Sequence, residues 1–355
     1  MKTRIIFVAI IGLTAVVLAG IFVVNGRREP VVGLVGSEKV PFFSDPRVID
    51  ALRGHGLDVT VQRAGSREIA TSFELSEYDF VFPAGVPAAE KIQREQGIGG
   101  AHRVFFTPMV VATWEPIAAL LVAQGIATQQ AGYYTLDMEP FLSWMEAERR
   151  WSDLPGNIAF DVNRAILLTS TDVRTSNSAA MYLALASYVA NGDNIVQSLP
   201  EAEAVLPLMA SLFLRQGFRP DSSQEPFEDY LVKGMGHSPM VMIYEAQFIG
   251  QATVNQAALL PEMVLMYPSP TIFTEHILIP LSENGDRLGN LLATDPELQK
   301  LAIEYGFRNG NLSYFRDYTA QVNIALPEQI VDIIDPPTYE VLEGMIQRIE
   351  ELYQQ

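Results

Sequence analysis

A chain of 355 residues with 42 acidic and 24 basic side chains has a net charge of −18, which leaves no basic footprint for a polyanion and argues against nucleic acid as a partner. Hydrophobic residues make up 48%, far from a disordered composition, and the absence of cysteine excludes disulfides, thiolate zinc sites, iron–sulfur ligation and a Cys nucleophile. The length suits about two domains, each able to bury its own core. Lys2 and Arg4 precede an apolar run from Ile5 to Val24, broken only by Thr14 and closed by Asn25-Gly26-Arg27-Arg28. As a helix this run rises about 30 Å, the thickness of a bilayer core, and it exceeds the usual hydrophobic stretch of a signal peptide. The expectation is a retained membrane anchor over residues 1–28 with the body exported; the competing reading is cleavage after Val17-Leu18-Ala19. Ile21 stands where a bacterial lipoprotein signal has cysteine, which excludes lipid attachment there.

Behind that segment, apolar β-branched runs suited to buried parallel strands fall at Val31–Val35, Leu57–Val61, Asp79–Phe82, Val104–Ala112, Ala165–Thr169, Met240–Ile243 and Val264–Tyr267. Helical patterns lie between most of them. Asp45-Pro46 is an N-cap followed by proline at the first helical position, and Asp295-Pro296 repeats the device. Met138, Phe141, Leu142 and Met145 recur at helical spacing, and residues 199–230 read as further helix broken at Gly217 and Pro220. Strands alternating with helices predict an α/β fold with mostly parallel sheets and flanking helices.

Three polar loops concentrate hydrogen-bond donors. Leu168 to Ser178 reads as a strand, a dense polar loop and the start of a helix, so that helix-start amides, the hydroxyls of Ser176 and Ser178, Asn177 and Arg174 converge on one point. First-turn amides have no partner within the helix and sit at the positive end of its dipole, a combination that suits an anion. An ordinary cap with a surface arginine is the alternative. Gly36-Ser37-Glu38-Lys39 and Gly65-Ser66-Arg67 follow the first two strands, the position where open parallel sheets bind ligands. Singly, each such loop is more often a turn.

Enzymatic motifs are poor. Gly236-His237-Ser238-Pro239-Met240 lacks the second glycine of a nucleophile elbow and precedes a strand instead of following one. His55, His102, His237 and His276 are scattered without metal-ligand spacing. Gly33–Lys39 has glutamate where a phosphate loop needs glycine, and Gly97-Ile98-Gly99-Gly100 does not follow a strand. Asp172 and Glu245 carry no mark of an acid–base pair, and Trp114, Trp144 and Trp151 read as core. The expectation is no enzyme, no cofactor and no metal. Tyr244 closes its strand where a phenol reaches a ligand, with core packing as the default.

In order of appearance, these segments resemble the type II periplasmic solute-binding proteins of ABC importers, nearest in pattern to the molybdate, tungstate and sulfate group. The opening strand with Gly36-Ser37, then Ala64-Gly65-Ser66, Tyr78–Ala84, Val104–Thr113, Ala165–Leu185, Gly236–Tyr244 and Tyr267–Thr271 carry the likeness, over residues 31–310. The resemblance implies two α/β lobes, 29–112 with 245–355 and 113–244, closing on a ligand by hinge bending. It places Ser37 and Ser66 as first-lobe hydroxyl donors, Ser176, Asn177 and Ser178 as second-lobe donors, and Tyr244 on the return strand. Glu38, Lys39, Arg67 and Arg174 are charged where that group is mostly neutral, which favours a larger carboxylate- or phosphate-bearing solute held by an arginine fork. The implied partners are an ABC permease and a small anionic solute. A sensor or accessory protein with the same fold, or an enzyme on this scaffold, are the alternatives. Whether residues 312–355 cover the cleft or a lobe's back is open at this level.

Overall fold

The computed structural model describes residues 28–217, 220–327 and 329–353, so the apolar N-terminal segment lies outside the described residues. Among these residues no helix is long and apolar enough to cross a membrane. The chain starts with β1 (Glu29–Val35), a 3-10 turn at Ser37–Lys39, α1 (Val40–Ser44), α2 (Pro46–Gly54), β2 (Leu57–Arg63), α3 (Ser66–Ser72), β3 (Phe80–Phe82) and α4 (Val86–Gln96). The long β4 (His102–Trp114) then leads into α5 (Glu115–Ala123), β5 (Ala127–Gln129), β6 (Tyr134–Asp137) and α6 (Met138–Glu146). After an irregular stretch come α7 (Asn177–Ala190), α8 (Leu199–Leu214), α9 (Gln224–Lys233), β7 (Met240–Tyr244) and α10 (Glu245–Asn255). The last part holds β8 (Met263–Ser269), β9 (Thr271–Pro280), α11 (Glu283–Thr294), α12 (Pro296–Glu304), α13 (Leu312–Gln321), β10 (Ile333–Ile334) and α14 (Tyr339–Tyr353).

Pairing runs β2-β1-β3-β9-β4-β8-β6-β5, with β7 on β4 and β10 on β9. The sheet is mixed. Parallel pairs are β1–β2, β1–β3, β6–β8 and β10–β9. Antiparallel pairs join β3 to β9, β5 to β6, and β4 to β7, β8 and β9. The expectation of mostly parallel strands therefore holds for β1–β3 and fails around β4, because β7, β8 and β9 all return against it.

β4 belongs to two sections of sheet. Its residues 102–108 pair with β9 beside β1–β3, and Met109–Trp114 pair with β7 and β8. The sections are thus joined by continuous strand. The pairing of β8 with β4 and β6 sets Met263–Ser269 in the second section, although the sequence reading keeps 245–355 with the first. Ala165–Thr169, expected as a strand, forms only the isolated bridges Arg150–Ala165 and Thr169–Val241. β9 and the β5–β6 hairpin are strands that the apolar-run pattern does not single out.

Both predicted Asp-Pro caps are formed: the Asp45 carboxylate accepts from the Arg47 amide, and that of Asp295 from the amides of Glu297 and Leu298. Behind the first section, the rings of Phe82, Phe105 and Phe307 form a ladder with centroids 5.9 and 5.0 Å apart. Each such pair adds about 0.5–1.5 kcal/mol beyond its burial, so the loops at the ends of β1 and β3 stand on a stiff base.

Candidate functional site

The polar loops that follow β1 and β2 meet the start of α7. A cavity of about 10 Å³ lies between them, lined by Gly36, Ser37, Glu38, Ala64, Gly65, Ser66, Ser176, Asn177, Asp221, Ser222, Ser223 and Tyr244. That volume is roughly the space for one water-sized centre. Larger cavities of about 390 Å³ beside β4 and β9 and about 380 Å³ beside β6 gather no comparable set of donors. Six of the ten residues singled out from sequence, Ser37, Glu38, Ser66, Ser176, Asn177 and Tyr244, line the donor-rich cavity.

On the first side, β1 delivers the chain through Gly36 into the 3-10 turn, where Ser37, Glu38 and Lys39 are all buried. The Lys39 ammonium is wholly enclosed; it donates to Glu38 Oε1 and lies 2.9 Å from His276 Nδ1 on β9 and 4.9 Å above the Phe82 ring. Burial raises the Glu38 carboxyl, but the Lys39 charge and the His276 hydrogen bond outweigh it and leave the pKa at about 2. Burial, helped by the Lys39 charge, lowers His276 to about 4. At neutral pH the imidazole is therefore neutral, with Nδ1 set between the Lys39 ammonium and the Glu38 carboxylate and Nε2 a buried atom without a hydrogen-bond partner. The nearby rings of Tyr244 and Phe307 are 5.8 and 5.1 Å away. Lys39 thus neutralises Glu38 inside the wall and does not itself line the cavity.

Ser66 begins α3; its hydroxyl accepts from the Ala84 amide at 2.8 Å and retains its own proton to donate. On the opposite side, Ser176 and Asn177 open the fourteen-residue α7, whose first turn receives no side-chain cap. The amides of its first residues have no acceptor within the helix, so the positive end of the dipole faces the cavity. Ser178 stands one step behind, bonded to the hydroxyls of Ser176 and Thr171, each at 2.9 Å. Asn177 Nδ2 donates to the Tyr244 hydroxyl at 3.2 Å, and burial together with the Glu38 charge pushes that phenol well up.

Contacts cross the gap directly. The Ser222 hydroxyl donates to Ser37 Oγ at 2.7 Å, and the Arg67 amide donates to the Thr175 carbonyl at 3.1 Å. Two glycines make this approach possible. A Cβ on Gly65 would stand 2.6 Å from the Thr175 oxygen, and one on Gly85, at φ +90°, would stand 2.0 Å from Asn177 Oδ1.

The two arginines expected to fork a solute are engaged elsewhere. Arg67 forms a bidentate pair with Glu343, with Nη2 donating to Oε2 at 2.8 Å, and its Nε donates to the Arg174 carbonyl at 3.2 Å. Arg174 donates through Nε and Nη2 to Asp172 and lies 5.2 Å over the Tyr353 ring. Neither lines the cavity: Arg67, one residue after Ser66, turns to Glu343, and Arg174, two residues before Ser176, turns to Asp172.

Sequence reasoning missed Asp221, Ser222, Ser223, Gly85 and His276. Asp221-Ser222-Ser223 has the same form as the other loops, a polar cluster just before a helix, but no strand precedes it. His276 has no local signal, since its partner Lys39 is 237 residues away. Of the other histidines, His55 and His102 pair with Asp295 and Asp286 at 2.9 and 2.8 Å, and His237 Nδ1 lies 2.9 Å from the Ser238 hydroxyl. Glu245 is held by a buried bidentate pair with Arg308, and Asp172 by Arg174. Among the described residues no group of three or more His, Cys, Asp or Glu side chains is arranged to hold a metal ion.

No protein-family model matches the chain, and no curated protein does. Solved structures do match. The sulfate-binding protein SubI from Mycobacterium tuberculosis H37Rv is similar with a TM-score of 0.57 at 17% identity, covering 89% of this chain and 96% of that one. Iron-bound HitA from Pseudomonas aeruginosa is similar at 0.54 and 12% identity, covering 92% and 98%, and the apo ferric ion-binding protein A from Pasteurella haemolytica at 0.50 and 12%, covering 92% and 96%. The fold is that of the type II periplasmic solute-binding proteins.

Proposed function

We propose that the protein is an extracytoplasmic solute-binding protein that clasps a compact anionic solute between two lobes and presents it to an ABC-type permease, without catalysis. The observation that carries this reading is the convergence at one cavity of the uncapped start of α7 with the hydroxyls of Ser37, Ser66, Ser176 and Ser222 and the amide of Asn177. Donors of this kind stabilise negative charge without a free cation, which fits a chain whose net charge is −18. The ammonium of Lys39, behind the wall, is neutralised by Glu38. With Arg67 and Arg174 engaged elsewhere and so little enclosed volume, the support for a large solute gripped by an arginine fork is gone, and a small oxyanion fits better. The solute-binding proteins that share the fold favour a transport role. An anchor over residues 1–28, an exported body and the lobe division remain part of this reading on the sequence argument.

A thermal-shift screen of the purified protein against sulfate, phosphate, molybdate and larger phosphorylated or carboxylated metabolites tests the proposal. A solute at about 100 times its dissociation constant adds about 2.7 kcal/mol of stability. Stabilisation by a compact oxyanion that disappears in the Ser176→Ala/Asn177→Ala double variant supports the reading. Stabilisation by bulky solutes alone, or by an oxyanion equally in both proteins, sinks it.

A further inference from the structure

The two arginines that leave the cavity both end on the same element. Arg67, on the β1–β3 side, binds Glu343 of α14, and Arg174, on the other side, lies over Tyr353 of the same helix. Between these points α14 lies across the line where the halves meet. On one flank it packs along α8 with Val341, Leu342, Met345, Ile346 and Ile349, a buried apolar stripe at helical spacing. That seam is close: a Cβ on Gly344 would stand 2.5 Å from Leu199 Cδ2. On the other flank the contacts to α3 and α4 are polar. Lys91 Nζ donates to the Tyr339 hydroxyl at 3.1 Å, Lys91 and Arg94 each lie 5.7 Å over that ring, and Arg94 pairs with Glu340. The Arg67–Glu343 pair is the enclosed one, with side chains 7% and 13% exposed.

The asymmetry has a mechanical meaning. Separating the apolar seam would expose hydrocarbon, whereas parting the polar flank hands its charged groups to water. The cost is small for the exposed Arg94–Glu340 pair and larger for the enclosed Arg67–Glu343 pair, which makes the latter the main hold. When the halves part, α14 stays with α8 and releases α3 and α4. We propose that α14 is a latch, fixed to one half by apolar packing and closed on the other by Arg67, Lys91 and Arg94, that holds the closed conformation and thereby tunes solute affinity. This inference rests on the two-lobe reading of the site. Arg67 follows Ser66 directly, and its amide and guanidinium reach the carbonyls of Thr175 and Arg174, so the latch and the cavity walls close together. An apparent affinity scales with the fraction of molecules in the binding-competent state, so weakening the latch weakens capture without touching a cavity residue.

The chain contains no cysteine, so cysteines introduced at exposed Ser72 on α3 and Glu228 on α9 are the only spin-label sites. Electron–electron resonance on the full chain in detergent, with no solute added, reads the distance between the halves. Glu343→Lys, which sets two cations together, is expected to add a longer-distance population, and the swap Arg67→Glu/Glu343→Arg to remove it. Glu340→Lys, at an exposed pair, is expected to act in the same direction less strongly and serves if Glu343→Lys fails to fold. Arg348→Ala, which breaks the pairs with Glu203 of α8 on the apolar flank and with Glu351 inside α14 but no contact to α3 or α4, is expected to leave the distance unchanged. Unchanged distances in both lysine variants, or equal opening in Arg348→Ala, would overturn the latch. Because no solute enters the measurement, that failure is separate from failure of the oxyanion screen.

Discussion

On the side of the cleft built from β1 and β2, the groups at the cavity are held by side chains: Glu38, Lys39 and His276 interlock behind the 3-10 turn, and Ser66 is tied to the Ala84 amide. On the opposite side they are held by backbone, since Ser176 and Asn177 sit at the start of one long helix that needs no charge behind it. The same task of presenting neutral donors is met once by a buried charge cluster and once by a dipole. The difference decides what breakage does. Damage to the first side propagates into stability, whereas damage to the second stays local and is read in binding.

The largest effect is expected at Lys39. Lys39→Met strands the Glu38 carboxylate without its cation, and breaking a buried pair in this way costs about 3–5 kcal/mol in a denaturant titration. The double variant Glu38→Gln/Lys39→Met should recover most of it; no recovery would mean that the pair is not the source. Next comes pH. The folded-state pKa of His276, about 4 against an ordinary 6.5, lets the unfolded chain take up a proton first. Stability is complete above about pH 6.5 and is lost as pH falls towards 4, at up to about 1.4 kcal/mol per pH unit. Glu38, lowered to about 2, extends the loss from about pH 4.5 downwards. Denaturation midpoints of wild type and His276→Gln between pH 7 and pH 4.5 should diverge, the variant showing the shallower slope.

Gly65→Ala tests closure itself. Its backbone, at φ −65° and ψ 138°, accepts any residue, so the open protein should fold normally, but the added methyl meets the Thr175 carbonyl on closing. Solute affinity by calorimetry should fall about 100-fold with the melting temperature of the solute-free protein little changed. Asn177→Ala removes one neutral donor from the second side and should weaken binding about tenfold, the typical worth of one hydrogen bond, with stability nearly intact. Smallest of all, Arg174→Ala breaks a half-exposed pair with Asp172 and should cost under about 1 kcal/mol. A collapse of binding in that variant would restore the arginine-fork view that the cavity lining argues against.

Much of this arrangement is legible in the sequence. β1, β2, β3, β4, β7 and β8 stand out because buried strands read as apolar runs, and Asp45-Pro46 and Asp295-Pro296 announce their helices. Ser37, Ser66, Ser176 and Asn177 are visible because a polar loop at a strand end or helix start is a local pattern. β9 is not, since its identity depends on antiparallel partners far along the chain. The role of Arg67 is hidden for the same reason, since Glu343, which claims it, lies in the last helix. The partner of Arg174, Asp172, is two residues away, but its charge alone suggests a ligand as readily as a local ion pair.

β4 changes partners between Pro108, opposite Phe273 of β9, and Met109, opposite Tyr244 of β7. Proline has no amide hydrogen to lend to a ladder. Under the proposed closure of two lobes, torsion would concentrate where the ribbon changes partners; twisting there ruptures nothing that Pro108 could have donated, and Tyr244 at the cavity stands across from that switch.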